Sequence, residues 1–226
     1  MLFLRQTAVI AAKDLRSEFR TKEAINASLS FALVILVLFS FAFDPTSDMT
    51  REISGGLLWL VFAFAGVLLL NRSFARELPN DCLDALIASP VPTAALFLGK
   101  AIANYVLLLG IEVFCLPVFG IFFNVHWASQ PGWLALVFLL ATWGMAVVGT
   151  VFSALTVNLR LREIMLPMLL YPVLIPCLMA AIQLTTPLVA GEPLTGDLFA
   201  WIRLLIGFDA IFTALALVLI DTVLVG

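Results

Sequence analysis

Long runs of apolar residues, separated by short polar segments, dominate the chain from residue 24 to its end. Each run has about 20 residues or more and few charges, which suits an α-helix that crosses a hydrocarbon layer of ~30 Å. The pattern predicts an all-α polytopic membrane protein with a single domain over residues 1–226 and six transmembrane helices. The predicted spans are residues 24–43, 53–70, 97–123, 131–157, 164–184 and 198–224.

Residues 1–23 follow a different pattern. Apolar side chains from Phe3 to Phe19 recur at roughly helical spacing and alternate with charges of both signs. This pattern is typical of an amphipathic helix that lies in the membrane surface. Arg5 comes too early for the uninterrupted apolar core of a signal peptide. We therefore expect an interfacial helix before the first span, with a frayed cytoplasmic tail as the alternative.

Composition and charge placement support a membrane location. The chain is 63% hydrophobic and 12% charged, whereas about a quarter of the residues of soluble domains are charged. With the N-terminus in the cytoplasm, Arg51 and Arg203 are the basic residues near the outside, and the other ten of the twelve lie at cytoplasmic ends. This bias predicts a multi-pass membrane protein with both termini in the cytoplasm.

The sequence contains few groups that could carry chemistry. No G-x-x-x-x-G-K-[ST] motif for ATP and no H-E-x-x-H or paired-cysteine metal motif occurs in the sequence. The single histidine, His126, lies among tryptophans of an outer loop, which favours an interfacial residue over a haem or metal ligand. The sequence therefore predicts a chain that is not an enzyme and binds no cofactor or metal itself.

Two carboxyl groups lie within the predicted spans. Glu112 is in the third span and Asp209 in the sixth. A charge within the membrane is costly unless it is paired or hydrated, so such residues often have a function. The two carboxyls could relay protons in an ion-coupled carrier, or they could bond neighbouring helices. The sequence leaves both interpretations open.

The fifth span contains Pro167, Pro172 and Pro176. Each proline removes a backbone donor and clashes with the preceding turn. We therefore expect a kinked or broken helix that could act as a gate. Residues 185–200, interrupted by further prolines and glycines, are expected to re-enter the outer leaflet or to form an outer loop.

Residues 71–96 form the longest polar interruption between spans and are predicted to be cytoplasmic. A short helix there carries apolar and acidic sides, and prolines end it. An exposed apolar stripe with flanking charges favours docking to a partner over a simple elbow between spans. The predicted docking residues are Arg76, Glu77, Leu78, Asp81, Leu83, Asp84, Leu86, Ile87, Pro90 and Pro92.

This loop resembles that of the cytochrome c maturation protein B family, the membrane subunits also called haem exporter protein B. The residues that carry the resemblance are Phe74, Glu77, Leu78, Leu83, Asp84, Leu86, Pro90, Pro92 and Lys100. The resemblance extends to the length, the six spans and the amphipathic N-terminal segment. One departure occurs at Asn80 and Asp81, where the family usually has a glycine.

The resemblance implies an ABC-2 exporter-like permease that couples ATP hydrolysis to haem delivery or to release of a haem-loaded periplasmic chaperone. The implied partners are a cytoplasmic ATPase (maturation protein A), which binds the ATP, a haem-handling membrane subunit (maturation protein C), a small membrane subunit (maturation protein D) and the chaperone. Two permease copies are implied. The alternatives are an ABC-2 exporter permease for another substrate and a proton-coupled carrier that uses Glu112 and Asp209.

Overall fold

A computed structural model describes residues 2–45, 47–79, 82–125, 130–192, 196 and 198–224, without the side chains of Asp48 and Asp84. Its helices are α1 (Leu2–Thr21), α2 (Glu23–Ala42), α3 (Asp48–Leu70), α4 (Cys82–Ile87), α5 (Thr93–Phe123), α6 (Pro131–Thr156), α7 (Arg162–Ala190) and α8 (Leu198–Leu224). A 3-10 turn, Ala75–Glu77, lies between α3 and α4.

Six of these helices, α2, α3, α5, α6, α7 and α8, are long and apolar enough to cross a membrane. This confirms the predicted fold class and the number of spans, and the chain is a multi-pass membrane protein. Successive spans run in opposite directions, so alternate helix ends gather on one side. We call that side the basic end; it contains residues 21–23, 70–79, 82–93, 156–162 and 224.

Local sequence signals set several helix boundaries. The Ser47 side chain accepts a hydrogen bond of 3.2 Å from the Thr50 N–H and caps α3. Pro131 is the first residue of α6, where its missing N–H removes no helical hydrogen bond. Asn124 after α5 and Gly191 after α7 adopt the left-handed conformation that ends many helices. Turn chemistry at these positions therefore matches the ends of the apolar runs.

The core of the bundle lies where α6 packs against α5, α7 and α8, with α3 packed on α7. Trp59, Phe62 and Phe138 meet edge to face, with ring centroids 5.5–5.6 Å apart. The Trp59 indole N–H donates a hydrogen bond of 2.9 Å to the Thr185 hydroxyl. These contacts join α3, α6 and α7, and they satisfy the one polar atom of the buried tryptophan.

The bundle also exposes large apolar side chains. Phe41 in α2, Ile121 in α5 and Val218 in α8 are 87%, 81% and 74% exposed. In water such surfaces would favour association, whereas in a bilayer they contact lipid tails. Their distribution over the outer helices agrees with a bundle surrounded by lipid.

Helix α7 differs from the prediction for the fifth span. It is one continuous helix with Pro167, Pro172, Pro176 and Pro187 inside it, so the expectation of a broken helix is wrong. Each proline removes one backbone bond, while unpaired backbone groups in hydrocarbon are so costly that the remaining bonds hold the helix together. A gating role for these prolines stays a prediction.

The predicted re-entrant segment is also corrected in part. Residues 185–190 continue α7, and residues 198–200 belong to α8. Residues 193–195 and 197, in the middle of that segment, lie outside the described residues. The fifth span therefore reaches Ala190, six residues beyond its predicted end.

Candidate functional site

The N-terminal helix α1 packs along the start of α5 at the basic end. Its buried face contains Thr7, Ile10, Ala11 and Glu18. Gly99 in α5 permits the close approach, because a Cβ atom there would lie 2.7 Å from the Ile10 Cβ and 2.9 Å from the Thr7 carbonyl oxygen. The amphipathic helix expected from the sequence is therefore docked on the bundle.

Six charged side chains join α1, the 3-10 turn and α5. We call them the clasp: Lys13, Asp14, Glu18, Arg76, Glu77 and Lys100. Within it, Glu77 Oε1 accepts hydrogen bonds of 2.6 Å from Lys13 Nζ and 3.1 Å from Lys100 Nζ. Lys13 also lies 3.1 Å from Asp14. The clasp fixes the segment after α3 to two other helices.

Lys100, like Glu18, is completely buried, with 0% of its side chain exposed. Its ammonium donates to Asp14 Oδ2 at 3.0 Å and to the Ser73 carbonyl at 3.1 Å, and lies 5.0 Å from the centre of the Phe74 ring. Two carboxylates, a carbonyl and an aromatic face compensate for the lost hydration. Helix α1 packs over this part of α5, so Lys100 is shielded from solvent.

Glu18 connects a third helix to the clasp. Its Oε1 accepts a hydrogen bond of 2.9 Å from the Ile25 N–H in the first turn of α2, and its Oε2 pairs with Arg76. The carboxylate thus replaces the side-chain cap that α2 otherwise lacks. Through Glu18 and Arg76, α1, α2 and the 3-10 turn are held together.

Lys13 lies at the half-exposed edge of the clasp, and the neighbouring charges change its pKa. Burial lowers the pKa of Lys13, but the hydrogen bond to Glu77 and the charges of Asp14 and Glu77 outweigh it, so that the pKa is raised. A raised lysine pKa stabilises the folded state below the unfolded value, and this stabilisation is lost as pH rises through the folded value. Lys13 is therefore charged at neutral pH.

The short helix α4 lies against the ends of the spans. Leu83 is only 5% exposed and packs in one cluster with Phe74, Phe97 and residues of α6 and α8. Leu78 and Ile87 are partly buried against the same cluster. The expectation of an exposed apolar stripe is therefore wrong for Leu83, because burial against the bundle removes this side chain from water.

The outward side of α4, and of the residues that join it to α5, has a different composition. Cys82, Ala85, Pro90 and Pro92 are exposed, and Leu86 is half-buried. We call these five residues the α4 face. Among the described residues, the α4 face therefore presents small side chains and prolines, with Leu86 as its largest apolar group.

The other predicted docking residues have mixed outcomes. Arg76 and Glu77 form ion pairs with other residues of the clasp, so their charges are already paired within the chain. Asp81 lies outside the described residues, as does His126, and the side chain of Asp84 in α4 is also undescribed. Pro92 directly precedes α5, and its carbonyl accepts hydrogen bonds from the first turn of that helix.

The intramembrane carboxyls lie on two sides of α6. Glu112 is 2% exposed and accepts a hydrogen bond of 2.6 Å from the Thr142 hydroxyl, while its other oxygen has no partner. Asp209 is 8% exposed, and neither of its oxygens has a partner within the described residues. A Cβ at Gly144 would lie 2.8 Å from Asp209 Oδ1, so this glycine makes room for the carboxyl.

The chain matches the family described as "CcmB protein" over residues 5–222, which include most of α1, the clasp and α4. It belongs to this family. The chain is similar to "Heme exporter protein B" of Rhodobacter capsulatus, with 31% identity over 175 residues, 77% of this chain and 80% of the relative. It is also similar to "Heme exporter protein B" of Pseudomonas aeruginosa, with 29% identity over 212 residues, 94% and 91% of the two chains.

In this member of the CcmB protein family, sequence reasoning missed most of the clasp. Asp14 and Glu18 are four residues apart and share the α1 face of Thr7 and Ile10. Two acidic residues on the same face as buried apolar residues are the signal that could have indicated buried ion pairs. Their partners in α5 and after α3 are too distant in sequence for helical spacing to reveal.

Proposed function

We propose that the chain is the membrane permease subunit of an ABC-type complex for cytochrome c maturation in the bacterial inner membrane. The match of residues 5–222 to the CcmB protein family carries this proposal, and the name "Heme exporter protein B" of its relatives supports a role in haem export. The chain itself is non-catalytic and binds no cofactor. The complex handles the haem, and a partner ATPase binds ATP.

The partners in this proposal are the cytoplasmic ATPase (maturation protein A), the membrane subunits maturation proteins C and D, and the periplasmic haem chaperone. Two permease copies are present in the complex. ATP hydrolysis is coupled to haem delivery or to release of the haem-loaded chaperone. The ten Lys and Arg residues on one side support a cytoplasmic basic end and cytoplasmic termini.

Coupling in this proposal begins at the α4 face. The ATPase docks on it, and its ATP-driven movement displaces α4. Leu83 then pushes on the apolar cluster that contains Phe74 before α4, Phe97 in α5 and Ile220 in α8. Because the clasp ties α1 and α2 to the same connection, their ends move as well. Such coupling requires the two states to differ in contact free energy at α4.

A charge on the α4 face tests this docking directly. Ala85→Glu adds a carboxylate at an exposed position, and we expect it to reduce copurification of the coexpressed ATPase and the cytochrome c yield. Gly132→Glu is the matched control, since Gly132 is exposed at the opposite end with open space around it. Normal copurification and yield for Ala85→Glu would contradict docking on the α4 face. Leu83→Asp is a poor probe, because Leu83 is buried.

A proton-coupled carrier is the second candidate function. It is favoured by the partnerless oxygens of Glu112 and Asp209, since buried uncompensated carboxylates are costly in a membrane. The carrier predicts that Glu112→Gln abolishes activity without any need for an ATPase. The permease proposal predicts that the cytochrome c yield of Glu112→Gln stays near normal and depends on the ATPase. An ABC-2 permease for another substrate would also copurify with an ATPase. Deletion of such a permease would leave the cytochrome c yield unchanged.

A further inference from the structure

Two adjoining cavities lie at the basic end, around the start of α7. The first has a volume of about 640 Å³ and lies between α2, α3 and α7, with Asn71, Arg72, Arg76 and Arg162 among its lining residues. The second, of about 510 Å³, shares residues 162–164 with the first and adds Arg160. The two cavities thus form a continuous surface with four guanidinium groups.

Among the described residues, ion pairs neutralise two of these guanidiniums. Arg72 pairs with Glu23 at 2.6 Å, and Arg76 pairs with the buried Glu18. Neither Arg160 nor Arg162 has an ion-pair partner among the described residues, and exposed Glu163 is the remaining carboxylate at this surface. The surface therefore has four guanidiniums and three carboxylates, which gives it a net positive charge. The two unpaired guanidiniums can each donate two hydrogen bonds to a phosphate group.

A buried acceptor and an apolar border add information about the ligand. Asn71 Oδ1 is buried and has no hydrogen-bond partner, so the site offers an acceptor to a hydroxyl group. Leu68, Leu161 and Ile164 border the guanidiniums and are 37%, 63% and 58% exposed. They lie at the ends of spans, where lipid headgroups meet the acyl chains.

We propose that this surface binds an anionic phospholipid with a glycerol headgroup, of the phosphatidylglycerol type. Arg160 and Arg162 bind the phosphate, Asn71 accepts a hydrogen bond from a headgroup hydroxyl, and the acyl chains lie along Leu68 and Ile164. Free phosphate shares the guanidinium contacts but has no use for the apolar border. Basic pockets between helices at a membrane surface are typical lipid headgroup sites.

The opposite end of the bundle provides an internal comparison. A cavity there also measures about 640 Å³, but of its described lining residues Arg51 alone is basic, whereas Glu52 and Glu192 are acidic. The two cavities have equal volumes but opposite charge balance, so their size alone does not distinguish them. Arg51→Gln is therefore the matched control for removal of an arginine at the basic end.

The test uses the purified full-length chain in detergent, with bound lipid measured by native mass spectrometry after addition of phosphatidylglycerol or phosphatidylcholine. We expect the parent to retain phosphatidylglycerol preferentially. At about fivefold per guanidinium, Arg160→Gln with Arg162→Gln should weaken retention about 25-fold, while Arg51→Gln leaves it unchanged. Asn71→Leu should reduce the preference for the glycerol headgroup.

Several outcomes would overturn the proposal. Equal retention of the two lipids, or unchanged retention in the double arginine variant, would exclude a headgroup site at this surface. Displacement of the lipid by millimolar inorganic phosphate would indicate a free-anion site, and loss of ATPase copurification with unchanged lipid retention would assign the arginines to a protein interface. If the double variant does not insert into the membrane, Arg162→Lys is measured in its place. Unchanged lipid retention in Arg162→Lys, together with equal binding of both lipids by the parent, would count against the site.

Discussion

The clasp and the intramembrane carboxyls bury ionisable side chains in opposite ways. In the clasp, Lys100 is completely buried and contacts two carboxylates and a backbone carbonyl. In the middle of the bundle, Asp209 has no partner for either oxygen within the described residues, and Glu112 has one hydroxyl donor. Lys100 and the two carboxyls are similarly buried, whereas their charges are compensated nearly completely in the first case and hardly at all in the second.

This difference separates structural charges from charges with another role. Paired ions at the clasp fix α1, α2 and α5 to the segment after α3, so their removal should affect folding first. A buried carboxylate without a neighbouring cation contributes little to stability. A carboxyl group in such a position therefore has a role in function or is protonated and neutral. Substitutions in both regions measure whether that division is correct.

The largest effect is expected from Lys100→Met. The change leaves the partly buried Asp14 and Glu77 beside each other without the buried ammonium between them, and breaking a buried ion pair costs about 3–5 kcal/mol. We expect the thermal unfolding midpoint in detergent to fall strongly. Lys13→Met is the control, because the half-exposed Lys13 contributes about 1 kcal/mol or less. Equal midpoints for the two variants would contradict a clasp organised around Lys100.

A smaller effect is expected where α1 contacts α5. In Gly99→Ala the new methyl group would lie 2.7 Å from the Ile10 Cβ and would move α1, at a cost of about 1–3 kcal/mol. Gly110→Ala is the matched control in the same helix: it has open space at its Cβ and should stabilise by about 0.5–1 kcal/mol. Protease sensitivity of the N-terminal helix and the unfolding midpoint report the change. Equal stability of the two variants would show that α1 is not held against Gly99.

The smallest effect is expected from Glu112→Gln. The amide keeps an oxygen that can accept the Thr142 hydrogen bond and loses no ion pair, so the free energy of unfolding should change by less than about 1 kcal/mol. Glu77→Gln, which loses the charge bound by Lys13 and Lys100, should be clearly more destabilising. A larger loss for Glu112→Gln than for Glu77→Gln would reverse the proposed division between the two regions.

The sequence predicts the spans well because lipid imposes a simple requirement on length and charge. Uncharged runs, a serine before α3 and a proline at the start of α6 are all local signals. The position of α1 is harder to predict, since it depends on Gly99 and on ion pairs between residues 64 and 86 positions apart.

Two other features depend on packing that the sequence does not display. In a helix as short as α4, apolar residues on one side can face a partner or the bundle, and Leu83 faces the bundle. In α7, proline content suggests a break, but the surrounding helices and the cost of unpaired backbone groups keep it continuous. Tertiary context and the membrane decide both outcomes.

The most direct test of the proposed coupling is the alkylation rate of Cys82 in membranes. Cys82 is exposed on the α4 face, whereas Cys115 and Cys177 are buried, so a membrane-impermeant maleimide applied from the cytoplasmic side reports on this position. The account predicts that the coexpressed ATPase slows the alkylation of Cys82 and that ATP changes the rate again. An alkylation rate that neither the ATPase nor ATP alters would contradict docking and coupling through α4.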